Sequence, residues 1–223
     1  MSRKVWLPLG AVVLIVNAVQ WVVSEALAAA AWTDPPYSYA RNYISDLGVP
    51  ECGVTFQDRV ICSPDHTLMN VSIIAEGVLF AIGILLLARL VSGRTRKIVT
   101  TLAVGHAIGF LLVGVYHGSE SGPSYGLALH MIGAGMAILG ANTLAIMSGT
   151  LRGLPVARSY RVFSVAVGVL GLLSLALVGI SVETAGAFER ASVYSWLLWS
   201  VVTGGLILAG KLRRPAVVEN VTV

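Results

Sequence analysis

Residues 68–91 read LMNVSIIAEGVLFAIGILLLARLV, with Glu76 and Arg89 as the only charged side chains. At 1.5 Å per residue this stretch makes a helix of about 36 Å, longer than the ~30 Å hydrocarbon core of a bilayer. A soluble helix would keep one polar face, whereas here apolar residues occupy every face. The segment therefore predicts a transmembrane helix. Working outward, comparable runs lie at 6–28, 98–116, 127–147, 162–181 and 193–210. A membrane barrel would instead show short alternating segments, and none occurs. The expected fold is all-α, a polytopic membrane protein built as a six-transmembrane-helix bundle over residues 1–214. Residues 29–67 form its long extracytoplasmic loop and 215–223 a short cytoplasmic tail.

Composition supports lipid as the main solvent of the chain. Hydrophobic residues make up 56% and charged residues 12%, with a mean hydropathy of +0.82. A soluble domain carries roughly 25% charge. The net charge of +4 fits cations placed beside anionic lipid, so no nucleic-acid partner is expected.

Orientation follows from the cations, which insertion retains on the cytoplasmic side. Sorting the connections alternately puts Arg3, Lys4, Arg89, Arg94, Arg96, Lys97, Arg152, Arg158, Arg161, Lys211, Arg213 and Arg214 on one face. Only Arg41, Arg59 and Arg190 fall on the other, together with Asp34, Asp46, Glu51, Asp58, Asp65, Glu120, Glu183 and Glu189. Both termini are thus expected in the cytoplasm, in a plasma (inner) membrane. Cys52 and Cys62, the only cysteines, both fall in the outer loop, where an oxidising compartment would pair them. Arg3 and Lys4, an apolar stretch and the small residues 26–31 also suit a cleavable secretory signal, which would leave five helices. The stretch exceeds a signal core and contains Asn17 and Gln20, so it is read as a span.

Polar side chains in lipid are costly and mark structural or functional positions. Asn17, Gln20 and Ser24 recur at intervals of three and four, which puts them on one inward face of the first helix. Glu76 and His106 each lie eight residues into their helices from opposite sides, about 12 Å deep. If those helices are neighbours, the carboxylate and imidazole can share a proton. Glycines at 105 and 109, with Gly133, Ala137 and Ala141, give small-xxx-small spacings that let helices approach closely. The fifth and sixth helices offer only scattered Ser and Thr and are expected to be scaffold or lipid-facing.

On the outer side, His117 should emerge from the third helix near His130 at the start of the fourth. Asp46, Asp65, His66, Asn70, Glu120 and Glu189 share that side, enough nitrogen and oxygen donors for a zinc-like ion. Candidate ligands are His117, His130 and Asp46, although no HxxxH, HExxH or CxxC spacing is present. No cofactor is otherwise implied. Ser45 or Asp46 can cap a short interfacial helix ended by Gly48. Asp46, Glu189 and Arg190 can form a salt-bridged outer lid.

Tyr43-Ile44-Ser45-Asp46-Leu47-Gly48, then Ser63-Pro64 with Asn70, Gly77, and Gly186-Ala187-Phe188-Glu189-Arg190 together carry a resemblance over nearly the whole chain. The sequence resembles the bacterial and archaeal membrane-protein family known as domain of unknown function 998, and the ISDLG string is the most specific part. The resemblance implies a six-helix bundle with an outward polar motif and brings no reaction with it. It departs from the family at Tyr116-His117, where a Phe-Pro-like pair is usual.

Three functions follow as expectations. The first is a non-catalytic protein that binds membrane lipids, or another membrane protein as an accessory or assembly factor. Its site would be the outer polar face of Ser45, Asp46, Asn70, His117, His130, Glu189 and Arg190. The second is a metal-dependent intramembrane lipid hydrolase, similar to ceramidase-like enzymes, with Glu120 as base. The third is a small proton-coupled transporter working through Glu76 and His106.

Overall fold

The computed structural model describes residues 3–118, 125–152, 154 and 156–211. Six helices carry the fold: α1 (Arg3–Ala31), α2 (His66–Leu87), α3 (Gly93–Val115), α4 (Gly126–Thr150), α5 (Arg158–Leu177) and α6 (Ala185–Leu208). All six are long and apolar enough to cross a membrane. Each packs against the next, and α1 packs against α6, so the helices close into a ring, with α4 and α6 meeting across its interior.

Contacts along each pair run in opposite directions: Asn17 meets Glu76 while Gln20 meets Ser72. One end of the ring therefore holds the start of α1 and the end of α6. The other, the loop end, holds the long segment between α1 and α2. That segment contains a 3-10 turn at Ser45–Gly48 and a hairpin of β1 (Cys52–Phe56) and β2 (Arg59–Cys62). The strands pair antiparallel, with Phe56 opposite Arg59. Gln57 and Asp58 between them both have positive φ, 48° and 59°, the conformation a two-residue hairpin turn requires. A disulfide joins Cys52 to Cys62.

The sequence explains why α1 is a wall of this ring. Leu14, Asn17, Ala18, Trp21, Glu25 and Ala28 recur at intervals of three and four and are all buried. Val5, Leu9, Val12, Val16, Val19 and Val23 on the opposite face are exposed, an apolar surface suited to lipid. The first span is thus integral to the ring, and its removal would open the interior.

Helix α6 differs most from expectation. It begins at Ala185, so the segment 186–190 lies in its first turns instead of in a loop before residue 193. Hydropathy penalises Glu189 and Arg190, yet both are turned into the protein, where partners satisfy them. Of the two roles expected for α6, scaffold or lipid-facing, its packing departs from the second: Trp196, Trp199, Ser192, Ser195, Ser200 and Thr203 are buried. Helix α5 is more peripheral, exposing Val162, Val169, Leu170 and Leu173.

Close packing of α3 on α4 depends on two glycines. A Cβ on Gly109 would stand 2.5 Å from the Gly133 carbonyl oxygen, and one on Gly133 would stand 2.5 Å from that of Gly109. Gly105, expected in the same seam, has open space where its Cβ would be and does not belong to it. Gly133→Val should destabilise the fold by at least about 1–3 kcal/mol through overpacking, and Gly105→Val should leave it nearly unchanged. Thermal unfolding of both in one detergent checks this; equal melting temperatures would refute the seam.

Candidate functional site

At the loop end, the 3-10 turn is fixed by its own sequence motif. Ile44, Asp46, Leu47 and Gly48 are buried. The Asp46 carboxylate accepts from the Tyr43 backbone N–H at 2.9 Å and from Arg59 Nε at 3.0 Å and Nη2 at 3.4 Å. The turn itself was expected, but no side chain caps it; Asp46 reaches back to Tyr43 instead. Arg59 also lies 4.2 Å from the Tyr43 ring centroid, a cation–π contact that seats the hairpin on the motif. Ser63 Oγ donates to the Leu47 carbonyl at 2.7 Å, and Asn70 Nδ2 to the Gly48 carbonyl at 2.7 Å. A Cβ on Gly48 would stand 2.2 Å from Asn70 Oδ1, so a larger residue there would have to displace the side chain that holds the Gly48 carbonyl.

The expected pairing of Asp46 with Arg190 is not formed. Arg190 Nε donates to Glu25 Oε1 at 2.8 Å, and its Nη1 donates to the carbonyls of Tyr39, Asn42 and Gly186 at 2.7, 2.8 and 3.1 Å. Its Nη2 donates to the Tyr37 hydroxyl, which in turn donates to the Tyr43 carbonyl at 2.9 Å. Burial pushes the Tyr37 phenol well above its ordinary range against the opposing charge of Arg190, so it stays neutral and able to donate. Tyr194 supplies the other Glu25 oxygen with a hydrogen bond of 2.9 Å. Glu189 accepts the Ile44 backbone N–H. A salt-bridged lid does form at the loop end, but Glu25 is its centre and Asp46 pairs with the hairpin. Two sites replace one because α6 starts early enough to place Arg190 over α1.

His130 Nδ1 is 2.7 Å from the Tyr116 carbonyl, and His130, Ser45 and Glu189 line a cavity of about 30 Å³ beneath the 3-10 turn. That is room for about one water molecule. His117 lies just beyond α3, and its buried Nδ1 has no hydrogen-bond partner among the described residues. Asp46 is committed to Arg59. No group of three or more His, Cys, Asp or Glu able to hold a metal occurs among the described residues. The expected His117, His130 and Asp46 ligand set is therefore not assembled. Glu120, the expected base, lies outside the described residues.

At the middle of the ring, Glu76 and His106 are both 0% exposed and in contact, His106 Nε2 lying 2.7 Å from Glu76 Oε2. His106 Nδ1 is 2.8 Å from the Ala137 carbonyl. A carbonyl only accepts, so Nδ1 carries a proton and a single further proton is shared between Nε2 and Oε2. Glu76 Oε1 accepts from Asn17 Nδ2 at 3.2 Å and Trp196 Nε1 at 3.0 Å. Gln20 and Ser72 extend the network, with Ser72 Oγ donating to Gln20 Oε1 at 2.9 Å. Four helices thus contribute to one buried carboxylate. Phe80, Phe110 and Trp196 enclose the imidazole at ring-centroid distances of 4.3, 4.8 and 5.8 Å.

Below this layer, toward the ends of the chain, the ring widens into a cavity of about 760 Å³. Ile84 and Trp199 are among its deeper walls and Leu90, Leu151 and Leu154 are near its rim. Among the described residues, its polar N and O side-chain atoms come from Ser148, Tyr160, Trp199 and Thr203. Arg161 fastens the adjoining α4–α5 connection, donating to the carbonyls of Gly149, Leu151 and Leu154 at 3.1, 2.8 and 2.7 Å.

Residues 11–205 match the family model described as protein of unknown function (DUF998). The chain belongs to that family. No match was found among curated proteins or among solved structures. The matched span of this DUF998 chain takes in the 3-10 motif, the Glu76–His106 pair, Arg190 and most of the cavity wall.

Glu25, Trp196, Asn142 and the cavity were missed by sequence reading. Asn142 sits at the α4, α5 and α6 junction, donating to the Ile138 and Ser192 carbonyls at 3.0 and 3.1 Å. Glu25 was findable: stepping by four from Asn17 gives Trp21 and then Glu25, the inward stripe, whereas Ser24 lies beside it. In the mid-ring network, Glu76→Gln preserves every contact, since its amide oxygen accepts from Asn17 and Trp196 and its NH₂ donates to His106 Nε2. It should change stability by about 1 kcal/mol or less. Glu76→Ala leaves buried donors unpaired and should cost about 3–5 kcal/mol. Unfolding of the two variants in a common detergent measures the difference, and the reverse ranking would refute the network.

Proposed function

We propose that this is a non-catalytic lipid-binding protein of the plasma (inner) membrane, with both termini cytoplasmic. It takes an apolar chain of a membrane lipid into the cavity between the cytoplasmic halves of its helices. The observation that carries this reading is the cavity itself: about 760 Å³, lined almost wholly by apolar side chains, and within the size range of small-molecule sites. An empty apolar space this large would forfeit many packing contacts, which an acyl chain would restore.

The orientation rests on two independent features. Most cations cluster at the end holding the chain termini, the side on which insertion retains them. The Cys52–Cys62 disulfide lies at the opposite end, as an oxidising outer compartment would favour.

The outer polar face is a weaker candidate for ligand binding. Asp46, Arg59, Glu25 and Arg190 are buried and paired with one another. Such groups fasten the loop to the ring. A partner protein has no comparable observation in its favour. Metal-dependent hydrolysis would require a ligand set that the described residues do not bring together. Transport through Glu76 and His106 would require freeing groups that all hold internal partners.

Leu151→Trp, which would fill the rim of the cavity, should reduce co-purifying lipid by severalfold while the protein stays folded. Lipid per chain, measured by mass spectrometry of protein purified in mild detergent, tests this. Equal lipid on the wild type and the variant would overturn the cavity as the site.

A further inference from the structure

Three hydroxyl-bearing residues on the cavity wall form one cluster. Tyr160 Oη is 2.9 Å from Thr203 Oγ1, and either atom can be the donor. Ser148 Oγ donates to the Ala145 carbonyl at 2.7 Å and accepts from Trp199 Nε1 at 2.9 Å. Tyr160 Oη donates to Ser148 Oγ in a long hydrogen bond of 3.4 Å. Counting protons, the Ser148 hydrogen is spent on Ala145, and one of the Tyr160 and Thr203 hydrogens is spent on the other residue. With Thr203 donating to Tyr160, the Tyr160 hydrogen goes to Ser148 Oγ at 3.4 Å, the longest bond of the cluster and the one that a better-placed ligand acceptor would replace. Among the described residues no charged side chain lines the cavity. The cluster offers a neutral donor on an apolar wall, which suits a carbonyl oxygen and would leave a carboxylate or phosphate uncompensated.

Position adds a second constraint. Tyr160 is the third residue of α5 and Ser148 is two residues from the end of α4, so the cluster lies about one helical turn inside the cation-rich end. Deeper in, the lining is apolar as far as Ile84 and Trp199. Toward the rim, Arg89, Arg152 and Arg158 each lie within two positions of a lining residue and are exposed. None of these arginines forms a salt bridge with a described carboxylate. From the rim inward the order is exposed cations, then a carbonyl-seeking hydroxyl cluster, then an apolar space.

We propose that the cavity takes an anionic glycerolipid, with its acyl ester carbonyl on the Tyr160, Thr203 and Ser148 cluster, its chain directed toward Trp199 and its phosphate at the rim arginines. This rests on the lipid-binding reading above and deepens it by naming the ligand class and the atom recognised.

The test compares phosphatidylglycerol carrying ester-linked chains with its ether-linked analogue of identical chain length, which lacks the carbonyl. Each is added to delipidated full-length protein in detergent, and bound lipid is measured by native mass spectrometry. The wild type should retain the ester lipid about three- to tenfold better, as expected for one hydrogen bond. Tyr160→Phe with Thr203→Val should abolish that preference while leaving retention of the ether analogue unchanged. Equal retention of ester and ether by the wild type would overturn the proposal without any variant being needed, as would a preference that survives in the double variant. A neutral diacylglycerol retained as well as phosphatidylglycerol would overturn the anionic headgroup. Leu151→Trp separates the two readings. If it leaves all lipid retention intact, the cavity reading itself has failed. If it abolishes retention while the wild type treats ester and ether alike, only the ester assignment has failed.

Discussion

A guanidinium cannot shed its charge at any ordinary pH, so an arginine turned into an apolar bundle must find partners for its N–H groups inside the protein. Arg190 does so between α6 and α1. Glu25 neutralises it, the carbonyls of Tyr39, Asn42 and Gly186 take one nitrogen, and the Tyr37 hydroxyl takes another. Glu25 comes from the first helix and the Tyr39 and Asn42 carbonyls from the loop that follows it, so satisfying the last helix requires the first to be beside it. That requirement helps convert a row of six antiparallel helices into a closed ring. Everything in the interior depends on this closure: without α6 against α1, Trp196 could not reach Glu76, nor could Asn17 and Trp196 share its Oε1.

The two ends of the ring spend their polar groups differently. At the loop end, nearly every conspicuous polar side chain holds another: Asp46 with Arg59, Glu25 with Arg190 and Tyr194, Asn70 with the Gly48 carbonyl. The ISDLG string is a fastener built from backbone and side-chain hydrogen bonds, and the Gly48 carbonyl is held by Asn70. At the opposite end the interior is apolar and incompletely filled. Specific binding energy comes from groups that have unmet needs before a ligand arrives. The unmet need of the cavity is an apolar space of about 760 Å³ left unfilled, whereas the ion pairs of the loop end are already made.

Hydropathy made the six helices and their alternation legible, because lipid imposes a strong and uniform rule on spanning segments, and the two cysteines of one loop made the disulfide legible. The rule fails where a span carries charge on purpose. Glu189 and Arg190 truncated the sixth helix on paper, though in space Arg190 is held by Glu25, Tyr37 and three carbonyls and Glu189 by the Ile44 N–H. The Glu76–His106 contact was readable from depth alone, since equal depths on adjacent helices meet. The metal-like set of His117, His130 and Asp46 was read from sharing a membrane side, which does not specify convergence. Arg59, reaching back from a hairpin that no apolar pattern announces, claimed Asp46 first. The cavity was not legible at all. A void is a property of how six faces fit together, and Leu7, Ile84, Leu144 and Ile207 would read the same in sequence whether they touched each other or faced a space.

The mid-ring layer gives the cavity its direction. Glu76, His106, Asn17 and Trp196 interlock with Phe80 and Phe110 into a fully buried plug, and Phe80 stands next to Trp199 at the deep wall of the cavity, their rings 6.5 Å apart. A conduction path would need this plug to part, breaking several hydrogen bonds to one carboxylate at once and leaving it unpaired in a low dielectric. A binding pocket needs the opposite: a firm blind end that fixes how far a chain can enter. The polar layer, costly to bury and complete once buried, is better suited to that second task. On this reading the buried Glu76–His106 pair at the middle of the ring sets the depth of a pocket whose chemistry lies one turn inside its mouth.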